Sequence, residues 1–361
     1  MVDLPPLQPL PEPLARVLAR YVSEPADDLA ATLQDAINKA FMDGVISATE
    51  RASVEAIVDS LNANDIEAIV RHISPTEGDF SQLNLAIRNA FHSFGMRTVT
   101  SIPQQLSPEG FKLTVQFNVR NPSAERWLSE ESGTLIQEIV RDQHTAIRTH
   151  LTTGMATGQG PRTTALNLVG RISPVSKRRE GGIIGLHSVQ ERWVANYQRD
   201  LASSDPAVLR SLLNRGLRDK RFDRTVQKAI NEGTTIPADT QSRMRTAYAN
   251  RTLKYRADNI ARTETLRSMG AAQTEGYQQA INKGTVDPKT IKRYWVTAGD
   301  ERVRPTHRMI PRMNPNGVGW NEPFRTPTGP SMHAPHDYDI NCRCRERVHI
   351  DFMARFRRAA A

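Results

Sequence analysis

From Asp239 to about Lys283 the sequence keeps one helical pattern, relaxed only at Gly270. At a rise of about 1.5 Å per residue, such an element reaches tens of ångströms and is more rod than globule. A chain that must accommodate it is predicted to be mainly α: long helices, a small β-hairpin region at about 96–120, and a compact, loop-rich α+β module at the C-terminal end. The other helical segments agree. Leu29, Leu33, Ile37 and Phe41 recur at helix spacing, as do Val54, Ile57, Val58 and Leu61. Asp65 is placed to cap a helix through Ile66, Ile69 and Val70. Ser123 opens a stretch to about Leu151, Pro161 suits a first helical turn, and helices resume at Ser188–Ser203 and Pro206–Leu213.

Two segments break this texture. Met96–Ile102 reads as a short strand, and Phe111–Val119 alternates apolar and polar residues with period two, so a hairpin is expected between them. Residues 173–185 form a basic, glycine-rich stretch, Lys177-Arg-Arg-Glu-Gly-Gly-Ile-Ile-Gly185. No Gly-Lys-Ser/Thr follows it, which argues against a phosphate-binding loop and for a flexible surface loop. Residues 1–13 carry five prolines and read as an extended arm, and residues 355–361 as a basic, frayed tail. Composition and pattern give four consecutive regions: 1–94, acidic and helical with the proline-rich arm; 95–205, hairpin plus helices; 206–285, basic with the long helix; and 286–361, a C-terminal module holding a Cys/His cluster.

Charge divides the chain more sharply than its net +9 implies. Residues 1–150 hold 12 basic and 20 acidic side chains, and residues 151–361 hold 36 and 19, so −8 is followed by +17. Such asymmetry suggests two surfaces for two kinds of partner, the basic one a polyanion. Arg215, Arg218, Lys220, Arg221 and Arg224 are the candidate DNA contacts. Two cysteines in 361 residues do not make a disulfide framework. No apolar run approaches the ~20 residues of a bilayer helix, and no secretory signal opens the chain. The expectation is a soluble protein from a reducing compartment, with no membrane partner.

Both cysteines sit in Ile340-Asn-Cys342-Arg-Cys344. On a strand, residues two apart share a face, so both sulfurs could reach one ion, with His307 as a third ligand and His333, His336 or Asp300 as a fourth. Zinc is the candidate cofactor for this set. The alternative is a pair of half-buried thiols beside a hydrogen-bonded histidine. On the long helix, Arg262 and Glu264 lie two apart and cannot pair with each other, whereas Asp258 and Arg262 are at i,i+4 spacing. Glu264 then reads as a clamp on the following module rather than a catalytic carboxylate. No G-x-S-x-G or H-E-x-x-H occurs, and no nucleophile–base pair stands out, so no catalytic residue is assigned and the chain is not expected to be an enzyme.

Taken together, Ala261-Arg262-Thr263-Glu264, then Trp295…Asp300-Glu-Arg302…His307, Pro323-Phe324 and Asn341-Cys-Arg-Cys344 resemble the C-terminal domain of the phage minor head, or head morphogenesis, family, similar to Mu protein F and the SPP1 minor head protein. Phe117–Trp127 and Arg218–Thr225 also look like segments of its members. The resemblance is strongest over about 255–350. It implies a low-copy internal virion component of a phage or prophage, which meets portal and capsid or scaffold proteins in the host cytoplasm during assembly and remains in the head with packaged double-stranded DNA. It also implies that Arg262, Glu264, Trp295, Asp300 and Arg302 are structural motif residues. Two other classes stay open: a metal-dependent nuclease or transferase built on the Cys/His module, and a stand-alone non-specific DNA-binding protein.

Overall fold

A computed structural model of the chain describes residues 26–103, 105–106, 112–332 and 335–351. The proline-rich arm, His333 and the basic tail lie outside them. The fold is mainly α. Helices α1 (Ala26–Glu50), α2 (Val54–Asn62), α3 (Ile66–Ile73) and α4 (Ser81–Ser101) precede a two-stranded hairpin, β1 (Gln105–Leu106) and β2 (Lys112–Leu113). Then come α5 (Pro122–Ala156), α6 (Pro161–Val169), a second hairpin, β3 (Arg171–Ile172) and β4 (Arg179–Glu180), α7 (Ser188–Leu201), α8 (Pro206–Leu213), α9 (Asp223–Glu232) and α10 (Ala238–Asn282). The chain continues through β5 (Ile291–Val296), α11 (Pro305–Met313), α12 (Pro335–Tyr338) and β6 (Arg345–Ile350). Among the described residues the three two-stranded sheets are antiparallel. Among the described residues no helix is long and apolar enough to cross a membrane.

By contact the chain divides into two compact units, one of Asn38–Asn84 and Gly133–Asn259, the other of Met1–Ile37, Leu85–Ser132 and Ile260–Ala361. The division falls inside α1, α4, α5 and α10, so each unit is assembled from separated stretches. The four regions read from the sequence describe composition, whereas these units are drawn by packing.

In the unit containing α2, α3 and α6–α9, Phe41 and Phe80 stack with ring centroids 5.9 Å apart, and Tyr197 stacks on Tyr248 at 4.2 Å. A Cβ added at Gly44 would sit 2.7 Å from the Asp79 carbonyl oxygen and the Phe80 ring, so the stack requires glycine there. The expected surface loop at 173–185 is corrected in its second part. Residues 174–178 are the exposed turn between β3 and β4, whereas Gly181–Leu186 is largely buried. Two arginines on α10 pin this run. Arg245 donates to the carbonyl oxygens of Gly181 (2.6 Å) and Asn167 (2.9 Å) and to Gln198 Oε1 (2.8 Å). Arg256 donates to the Gly185 carbonyl at 2.9 Å. Gly185, at φ +89°, is held from the other side by Gln143 Oε1, which accepts its N–H at 2.7 Å. Burial lowers both guanidinium pKa values, Arg245 to about 9 and Arg256 to about 10. The glycine-rich composition therefore serves close backbone approach rather than mobility.

In the other unit, Met96–Ser101 continues α4, correcting the expected strand. Phe91, Phe94 and Val99 are buried at helical spacing. Thr98 and Thr100 each donate their hydroxyl to the carbonyl four residues back, at 2.9 and 2.8 Å. Packing of one helical face outweighs the β-propensity of Thr-Val-Thr. The hairpin itself is present but small, pairing only 105–106 with 112–113. Residues 114–118 form no strand. Instead Phe117 packs against Phe91, with centroids 5.7 Å apart, and closes over Gly95, where an added Cβ would lie 2.2 Å from its ring. Asn118 makes a two-way amide pair with Gln279 of α10: its N–H donates to Oε1 at 2.8 Å, and Nε2 donates to its carbonyl at 2.9 Å.

Arg245→Ala would strand the buried carbonyls that its guanidinium now satisfies. It is expected to cost roughly 3 kcal/mol of stability, read as a lower denaturant midpoint at unchanged slope. Arg245→Lys, which offers an ammonium but no planar fork, should recover only part of the loss.

Candidate functional site

Strand β5 alternates its side chains so that Ile291, Arg293 and Trp295 face inward. It pairs with β6 from Ile291↔Ile350 to Val296↔Arg345. Arg293 is buried and meets Glu346 of β6, Nη1 to Oε1 at 3.2 Å. Its remaining donors take the carbonyls of Gly319, Met332 and Glu322, and its guanidinium lies over Phe324 at 5.1 Å. Burial raises the Glu346 pKa, partly offset by Arg293. This pair was not singled out in the sequence; the inward register of Arg293 on an alternating strand was the available signal.

Trp295 stands at the centre of the small core formed with Val303, Ile310, Val318, Phe324, Cys342 and Cys344. His307, Phe324 and Tyr338 all meet its ring edge-on, at centroid distances of 5.9, 5.6 and 5.5 Å. Pro305 opens α11 and places His307 on its buried face. His307 Nδ1 lies 3.4 Å from Cys342 Sγ and 3.5 Å from Cys344 Sγ, and its Nε2 lies 3.5 Å from Asp339 Oδ2. The three residues retain only 1 %, 5 % and 2 % of their surface exposure. The three predicted cation ligands are thus brought together. The cysteines, however, precede β6 rather than lying on it. In place of a ladder bond, the Cys344 N–H donates to Cys342 Sγ at 3.3 Å. The hydrogen bond between the two thiols lowers the Cys342 pKa to about 6, with the backbone N–H and His307 assisting against desolvation, and it raises that of Cys344.

The motif residues surround this centre. Arg262 Nη1 donates to Asn341 Oδ1 at 2.7 Å, and Thr263 Oγ1 accepts the Asn341 N–H at 3.0 Å. Together they hold Asn341 at φ +56°, directly before Cys342. The expected Asp258–Arg262 pairing is replaced: Asp258 takes Asn38 (2.7 Å) and Lys254 (3.5 Å). Glu264 is buried, and Arg267, which also meets Glu131, reaches it at 3.5 Å. Asp300 is not drawn to the cysteines. Its carboxylate takes a bidentate Arg343 at 2.7 Å per contact and the Arg302 N–H at 3.1 Å, and Arg343 chiefly holds its pKa below the ordinary range. The Arg302 side chain itself is exposed. The side chain of His336 lies outside the described residues. Thr263 and Asn341 stand in the resembling motifs, but their contact with each other was not read from the sequence.

The basic run before α10 proves to be largely an ion-pair knot. Arg215 bonds Asp200 at 2.5 Å and lies over the Tyr197 ring. Arg218 forks onto Asp223 at 3.0 and 3.1 Å. Arg221 forks onto the buried Asp219 at 3.0 and 2.6 Å, and Arg251 meets the same carboxylate at 3.2 Å. Lys220 and Arg224 are exposed and form no ion pair among the described residues. Of the five candidate phosphate contacts, these two present an uncompensated charge.

Residues 213–347 match the family model described as Phage Mu protein F like protein, which is consistent with a phage head morphogenesis family. The matched stretch includes the arginines of the ion-pair knot, all of α10 and the Cys/His centre; Asp200 and the resembling segment 117–127 lie outside it. No curated protein and no solved structure matches the chain.

The Asp219 pKa lies below the ordinary carboxylate range, chiefly through the Arg221 hydrogen bond. A depressed acid contributes stability above its unfolded pKa of about 3.9 and loses that contribution as pH falls through the lower folded value. Asp219→Asn is therefore expected to lower stability at pH 7 and to flatten the acid limb below about pH 4. Urea unfolding of both proteins between neutral pH and about pH 3 reads this directly; identical slopes would refute it.

Proposed function

We propose that the chain is an internal, low-copy head protein of a phage or prophage, which binds portal or capsid protein and packaged DNA during head assembly. The observation that carries this reading is the Mu protein F like match over residues 213–347, where the motif residues meet around one buried centre. The role is one of binding rather than turnover. His307, Cys342 and Cys344 are enclosed in an aromatic core that leaves a polymeric substrate no approach. The −8 and +17 halves of the sequence support two kinds of partner, protein and polyanion. Exposed cations without an ion pair among the described residues, such as Lys220, Arg224, Lys292, Arg302, Arg312 and Arg325, suit contact with phosphates of any sequence.

Co-expression with the portal protein of the same genome should yield a complex in which this chain co-purifies with the portal oligomer. Its absence both from that complex and from purified heads would overturn the reading. Binding to arbitrary double-stranded DNA should weaken with salt by about 0.9 in log–log slope per phosphate contact. Lys220→Ala with Arg224→Ala should reduce that slope by about 2. Affinity unchanged from low salt to about 0.5 M would exclude phosphate contact as its source.

A further inference from the structure

Beyond the head-protein reading, we propose that His307, Cys342 and Cys344 bind one zinc-class divalent cation, which fastens the C-terminal module in its fold. The geometry around the imidazole points to an ion. Nδ1 faces two sulfurs at nearly equal distances, 3.4 and 3.5 Å. A single ring nitrogen has one proton or one lone pair along that direction and can satisfy only one of them by hydrogen bonding. A cation between them satisfies all three donors. With Zn–S of about 2.3 Å and Zn–N of about 2.05 Å, a tetrahedral S–Zn–N angle gives an S···N edge of about 3.6 Å. The observed separations fall at that edge, and all three donor atoms lie within 4.8 Å of one another.

The surroundings fit a metal-binding histidine and thiolate. His307 Nε2, which has no hydrogen-bond partner among the described residues, faces Asp339 Oδ2 at 3.5 Å, so a carboxylate stands on the side where metal-bound imidazoles place one. Asp339 is itself held by Arg304 at 3.2 Å. The Cys344 N–H donates to Cys342 Sγ, a backbone bond that supports a ligating thiolate. Two thiols and an imidazole select a borderline-soft ion over magnesium or calcium.

A staple explains what the module otherwise lacks. Among its described residues the sheet is the two-stranded β5–β6 pair, and two strands alone are marginal in water. A cation at this point joins α11 to the segment leading into β6, between Trp295 and Tyr338. Three protein donors leave the fourth position to water or a further donor.

The test uses the full chain, purified with zinc and without chelator. Elemental analysis should find one zinc per chain, and Cys342→Ser and Cys344→Ser should each lose it. Cobalt(II) added to chelator-treated wild type should produce a thiolate-to-cobalt charge-transfer band that is weakened in each cysteine variant. Zinc at about 100 times its dissociation constant should shift the folding equilibrium about 100-fold, raising the melting temperature. It should also slow thiol modification under native conditions. Should the variants fail to fold, the cobalt spectrum, melting shift and thiol protection of the wild type decide alone. Protein free of metal as purified, with no cobalt band and with melting and thiol reactivity indifferent to zinc, would overturn the proposal. None of these readings depends on the portal complex, so the two proposals fail separately.

Discussion

Helix α10 buries many polar side chains along its length, and most of them take distant partners because an unsatisfied buried donor costs about 1–3 kcal/mol. That requirement organises much of the chain. Arg245 and Arg256 fix the Gly181–Gly185 run by its carbonyls. Arg262 and Thr263 fix Asn341. Glu275 accepts the Ser123 hydroxyl at 2.7 Å, and Gln279 holds Asn118 by both amide groups. The partners lie far away in sequence, so one long local element does the work of several tertiary contacts. Apolar packing then fills between these fixings, as where Phe91 stacks on Trp127 at 4.8 Å.

The Arg-Thr-Glu and Asn-Cys-Arg-Cys segments form one device across the described C-terminal module. The helix presents Arg262 and Thr263 to Asn341; the left-handed turn at Asn341 leads into Cys342; and the cysteines meet His307 beside Trp295. The residues that carry the family resemblance are thus mostly the ones that hold this turn and its core. The basic charge left without an ion pair is narrower than the sequence total, because Arg215, Arg218 and Arg221 are taken up by Asp200, Asp223 and Asp219.

Local signals made most helices legible: Pro161 and Pro206 at first turns, the Asp65 cap, and above all the pattern of α10, expected from Asp239 to about Lys283 and observed over Ala238–Asn282. The His307, Cys342 and Cys344 cluster was legible because few residue types ligate soft ions. What sequence could not show was set by distant packing. Met96–Ser101 looks like strand by propensity, but its burial favours helix. The 181–186 run looks mobile by glycine content, yet arginines about 60–70 residues away bury it. Asp258 and Arg262 have ideal spacing, but each has a stronger partner elsewhere.

A double-mutant cycle between Arg262 and Asn341, read by denaturant unfolding, tests most directly whether the helix motif and the cysteine motif act as one device. A charge-assisted hydrogen bond at this part-buried contact predicts a coupling of about 1.5–3 kcal/mol between Arg262→Ala and Asn341→Ala. Additivity of the two changes within about 0.5 kcal/mol would contradict it.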